Sequence, residues 1–90
     1  MNARRVDRIR LLLELAFEPE SLEVLDDSHK HVGHEGAKGG LGHFSVSIVS
    51  SRFNGMKMLA RHRAVYAALD DMMKTDIHAL AIEAIASDEL

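Results

Sequence analysis

The nine residues HFSVSIVSS, running from His43 to Ser51, constrain the fold of this chain more than any other stretch. Phe44, Val46 and Ile48 recur at every second position, with Ser45 and Ser47 between them. Successive side chains of a strand point to opposite faces, so this pattern predicts a strand with one apolar and one polar face. Such a strand belongs to a sheet whose apolar side must be covered and whose other side can meet water. The rest of the chain has to supply strand neighbours and a cover.

Both are legible. The spacing of Val6, Ile9, Leu12, Leu13 and Ala16 predicts an amphipathic helix from about Asn2 to Phe17. Asn2 is the expected N-cap, and Pro19 ends the pattern. Arg4, Arg5, Arg8 and Arg10 fall on its outer faces. In SLEVLDD, Leu22 and Val24 alternate with Glu23 and Leu25, which reads as a second strand. With a long loop between them, two successive strands pair most simply antiparallel. Asn54-Gly55 marks a turn, with a short extra turn around Phe53. From about Lys57 the spacing becomes helical, with Met58, Leu59, Val65, Ala68, Leu69 and Met72 as core candidates. IHALAIEAIA returns to a strand, with Ile77, Ala79 and Ala81 expected on one side and His78, Leu80 and Ile82 on the other. The expected architecture is α+β in the order α-β-β-α-β, a three-stranded sheet with helices on one face. No repeat or linker interrupts it, so residues 1–90 read as a single domain.

Aromatic residues make up 4% of the chain, so the core must be built mainly from Leu, Ile, Val, Ala and Met. Cysteine is absent, which excludes a disulfide scaffold and thiolate catalysis by this chain. No apolar run is long enough for a membrane span, and the regular charges of MNARRVDRIRLLLELAF do not suit a secretory signal. A cytoplasmic protein is the expectation. The net charge of −3 argues against strong nonspecific binding to nucleic acid. Charge is nonetheless uneven: between Ser28 and Arg63, Lys30, Lys38, Arg52, Lys57, Arg61 and Arg63 face Glu35 alone.

The stretch DDSHKHVGHEGAKGGLGHF holds four of the six histidines and five of the six glycines. That composition predicts a polar loop, whose ordering would cost conformational entropy. Its His29-x-His31-x-x-His34 run also carries suitable ligands, since neutral imidazole binds zinc, copper, nickel and iron. His43 precedes the central strand and reads as a cross-strand polar residue, and His78 opens the last strand among apolar neighbours. His62, between Arg61 and Arg63, reads as part of a basic helix face. Catalytic residues are not expected: Ser28 stands beside Asp27 and His29, but adjacency in a chain is not convergence in a site.

Read in order, LEVLDDSHKHVGHEG, HFSVSIVSSRFNGMKMLARHRAVYAAL and IHALAIEA resemble the BolA family, roughly from Val6 to Ala84. The succession of D-D-S-H-K-H, S-R-F-x-G, R-H-R-x-V-Y and I-H-A-L carries the resemblance. It implies a fold similar to type II KH domains and a non-enzymatic adaptor. It further implies a [2Fe-2S] cluster shared with a monothiol glutaredoxin in a heterodimer, the glutaredoxin and a glutathione supplying thiolates. No cofactor is then expected on the chain alone. The family's two ligand positions fall on His31 of SHKH and His78 of IHAL, with His34 and His29 as alternates. Histidine in place of thiolate raises a cluster's potential, which suits cluster transfer or iron sensing. A second theme of the family is transcriptional regulation through DNA, for which Arg52, Lys57, Arg61, His62 and Arg63 would form the basic surface. A stand-alone zinc site at His29, His31 and His34 is a third possibility.

Overall fold

The computed structural model of the chain describes residues 2–28 and 42–90. Helix α1 (Asn2–Phe17) buries Ile9, Leu13 and Phe17, with Val6, Leu12 and Ala16 half-buried beside them. Asn2 is already helical rather than the residue before the helix. At the other end Glu18 takes a left-handed φ of 44° and its N–H returns to the Glu14 carbonyl at 3.0 Å. Pro19 follows, which is how a helix stops when the next residue cannot continue its hydrogen bonds. The last carbonyls are capped from a distance. Ser50 Oγ donates to the Phe17 carbonyl at 2.7 Å, and the Arg52 guanidinium reaches the Ala16 carbonyl and the Glu18 carboxylate.

Strands β1 (Ser21–Asp26), β2 (Gly42–Ser50) and β3 (Ile77–Ala86) form one sheet in the order β1-β2-β3. The first pair is antiparallel, with Val24 opposite Val46; the second is parallel, with Val46 opposite Ile82. The alternation seen in the sequence is realised on β2. Phe44, Val46 and Ile48 are buried against α1 and the later helices, and Ser45 and Ser47 are turned to the other face. On that outer face Ser47 donates to Glu83, its register partner, at 2.7 Å.

A 3₁₀ turn, Ser51–Phe53, leads to the Asn54-Gly55 turn. Asn54 has φ −56° and ψ 129°, Gly55 has φ +78°, and Met56 N–H donates to the Phe53 carbonyl at 3.0 Å. This is a type II turn, whose third position demands positive φ and so a glycine. Helix α2 (Met58–Ala68) follows, then a break at Leu69 and a short α3 (Asp70–Thr75). The expected single helix is thus two segments, hinged on a Leu69 that is fully buried with Val65 and Met72. Two expected core residues lie outside: Met58 is 54% and Leu59 61% exposed, and the buried stripe of this segment begins only at Arg61 and runs through Val65, Leu69 and Met72. No helix of the described residues is long and apolar enough to cross a membrane.

Candidate functional site

The parallel register between β2 and β3 slips at its first rung. Gly42 faces Ile77, but the next residue, His43, faces Ala79. His78 is therefore the extra residue of a β-bulge, a device that re-aims a side chain. The slip changes the parity of the strand. Ile77 is buried with the core, whereas strict alternation would place it with Ala79 and Ala81, which are exposed. His78 is exposed too, instead of joining Leu80 and Ile82, which pack on the core.

The start of β2 is held on several sides. Gly42 N–H donates to the Asp76 carbonyl at 2.9 Å. His43 N–H donates to Ser28 Oγ at 3.1 Å, and the His43 carbonyl accepts from Asp27 N–H at 2.7 Å. Ser28 N–H in turn donates to Asp26 Oδ1 at 2.9 Å, and Ser45 Oγ bonds the Asp27 carboxylate. Asp76 is tied to α1 through Arg5 Nε at 3.1 Å, with Arg8 at 3.8 Å. The Thr75 hydroxyl lowers the Asp76 pKa most; partial burial opposes, and the two arginines add to the lowering.

Here the two histidines meet. His43, 7% exposed, lies with its ring centroid 5.1 Å from that of His78, the rings tilted by 56°. A shallow depression of about 280 Å³ adjoins His43, lined with it by Asp27, Phe44, Ser45 and the Ala79–Ala81 stretch. His43 joins His78 at this candidate site, and its own neighbours in the sequence mark it only as a strand end, because nothing local shows that a bulge brings His78 against it.

The other expected site residues divide. His29, His31 and His34 lie outside the described residues, and so do Lys30 and Lys38. Among the described residues no three His, Cys, Asp or Glu side chains gather as metal ligands. Of the basic group, Lys57 and Arg63 are exposed and His62 is half-buried, while Arg52 is engaged with Glu18 and the end of α1. Arg61 departs from the expected basic face. It is 5% exposed, and its guanidinium donates to the Met56 and Ala84 carbonyls and to both oxygens of Glu89.

Comparison with known proteins agrees with this architecture. Residues 13–89 match the family model described as BolA-like protein. The chain belongs to the BolA family. This BolA-like chain is 42% identical over 76 residues to the DNA-binding transcriptional regulator BolA of Escherichia coli, covering 84% of this chain and 70% of that protein. It is 43% identical over 81 residues to the chloroplastic BOLA1 of Arabidopsis thaliana, covering 87% of this chain. It spans 51% of that plant protein's length. The solved BolA domain of SufE1 from Arabidopsis thaliana superposes with a TM-score of 0.84 at 41% identity, over 96% of this chain and 95% of that one.

Proposed function

We propose that this BolA-like protein is a non-enzymatic adaptor that donates His78, together with His31, to a [2Fe-2S] cluster shared with a monothiol glutaredoxin and its glutathione. The work it serves is cluster trafficking or iron-status regulation. The observation that carries the reading is the bulge that turns the His78 imidazole outward at the end of the sheet bracketing the histidine-rich segment. Ser28 and Gly42 flank that segment, and both are hydrogen-bonded to β2 or to the residue before β3 there.

The donor chemistry fits. Neutral imidazole is a ligand for iron, and a chain without cysteine can complete such a cluster with thiolates from another protein. When bound, the cluster would supply one-electron redox chemistry and exchangeable iron. This chain's own part is to present imidazole nitrogens at a fixed place. The test is anaerobic reconstitution of the chain with a monothiol glutaredoxin and glutathione, followed by gel filtration and iron analysis. Iron should elute with a heterodimer for the wild type and not for His78→Ala; equal iron in both overturns the assignment of His78.

A second reading, direct action on DNA, is favoured by the Escherichia coli relative's name and by the exposed Lys57 and Arg63 with the half-buried His62. Two or three phosphate contacts would give a salt slope of about −2 to −3. Loss of mobility shift in Lys57→Ala/Arg63→Ala would support it, and a shift indifferent to salt would sink it.

A further inference from the structure

We infer that His43 is the positioning residue for His78: the ring contact between them holds the exposed imidazole in one orientation before anything binds it. The inference rests on the reading of His78 as a ligand, and it concerns how that ligand is made ready. The two rings are unequal partners. His78 is exposed and sits at the bulge, where the ladder gives its side chain no regular neighbour on β2. A solvent-exposed side chain without packing samples several staggered rotamers and loses that freedom on binding.

His43 is fixed. It is 7% exposed and its backbone is hydrogen-bonded to Asp27 and Ser28. The residue before it is anchored to the Asp76 carbonyl, and the residue after it, Phe44, is in the core at 2% exposure. A ring so held is a platform. Centroids 5.1 Å apart at a tilt of 56° lie within the range in which aromatic rings attract each other in tilted geometry. The contact therefore selects among the orientations of His78, and first-coordination groups supported in this way bind with less reorganisation. The ring face and edge supply the effect, not a second nitrogen donor. His43 is covered where His78 is open, so the division of labour is support against ligation.

The variants that separate these roles are His43→Phe, which keeps an aromatic ring, and His43→Ala, which removes it. The first readout needs no cluster. In the free protein, the Hα–Hβ couplings of His78 measured by NMR should show one rotamer in the wild type and His43→Phe, and averaged values in His43→Ala. His43→Leu replaces the alanine variant if that one does not fold, and averaging is expected there as well. The second readout is the visible circular dichroism of the cluster reconstituted with a monothiol glutaredoxin. It should be unchanged in His43→Phe and altered in His43→Ala, with faster loss of iron to a chelator. A single His78 rotamer in the alanine variant, or in the leucine variant where that one stands in for it, overturns the inference. So does a His43→Phe variant that loses the cluster signal as His78→Ala does, because the nitrogen would then matter. If the wild type forms no shared cluster, the reading of the site fails, and the coupling constants still decide whether His43 positions His78.

Discussion

Arg61 and Glu89 are joined by two hydrogen bonds, Nη1 to Oε1 at 2.7 Å and Nη2 to Oε2 at 2.9 Å. This fork-to-fork pair ties the middle of the chain to its last turn. The same guanidinium holds the Ala84 carbonyl at 3.1 Å and the Met56 carbonyl at 3.0 Å, and Glu89 Oε1 accepts from Ala86 N–H at 2.9 Å. Arg61 thereby fastens the end of β3 to the entry of α2. Bidentate geometry of this kind is specific to arginine.

Arg61→Lys is therefore expected to lower the melting temperature clearly, and Arg63→Lys to leave it nearly unchanged. The lysine has no fork, and Ala84 or Met56 loses its donor. Differential scanning calorimetry of the two variants checks this.

The pair also sets an acid dependence. Arg61, and after it the Ala86 N–H, hold the Glu89 carboxyl down to about 2 from its ordinary 4.5, against the opposing effect of burial. Between those values the unfolded chain binds the proton and the folded one does not. The contribution is present above about pH 4.5 and is lost as pH falls towards 2. Glu89→Gln should be less stable than wild type at pH 7, with the difference shrinking by pH 3. Urea midpoints at the two pH values measure it.

Gly42→Ala should destabilise by about 1–3 kcal/mol through overpacking. A Cβ at this position would stand 2.5 and 2.7 Å from ring atoms of Phe44 and 3.1 Å from Ser28 Oγ. Phe44 is buried and cannot swing aside, so β2 must shift where it meets β3. The shift should show first in the amide NMR signals of His43, Ile77 and His78.

Leu69→Ala should cost about 2–5 kcal/mol, the range for a fully buried leucine. Its N–H bonds both the Val65 and Tyr66 carbonyls, and Met73 N–H bonds its carbonyl, so hydrogen bonding runs through the break. The side chain is what the two helices share. Chemical denaturation should show a lower midpoint at an unchanged slope.

Much of this was readable from residue order. The alternation of Phe44, Val46 and Ile48 defined β2, and the stripe through Ile9 and Leu13 defined α1, because each pattern is set by local geometry and one large apolar face. What escaped depends on partners distant in the chain. Periodicity cannot register one extra residue on β3, so it puts Ile77 and His78 on the wrong faces and gives no sign of the contact with His43. Arg61 stands in a charged run with His62 and Arg63, although its spacing from Val65, Leu69 and Met72 places it on the buried stripe of α2 and α3. That spacing was the available signal. Glu89 offered none, since nothing near it in the chain indicates a partner at position 61. Met58 has the spacing of that stripe but stays exposed in the first turn of α2, and Leu59, two residues before Arg61, falls off the stripe altogether.

On the proposed reading, His78 donates its imidazole to a cluster held jointly with another protein. The most direct measurement is visible circular dichroism of a cluster-loaded monothiol glutaredoxin as this chain is added. The expected result is a changed spectrum that saturates at one to one, and no such change with His78→Ala folded to the same melting temperature. A titration that leaves the glutaredoxin spectrum intact, or an identical change with His78→Ala, would contradict it.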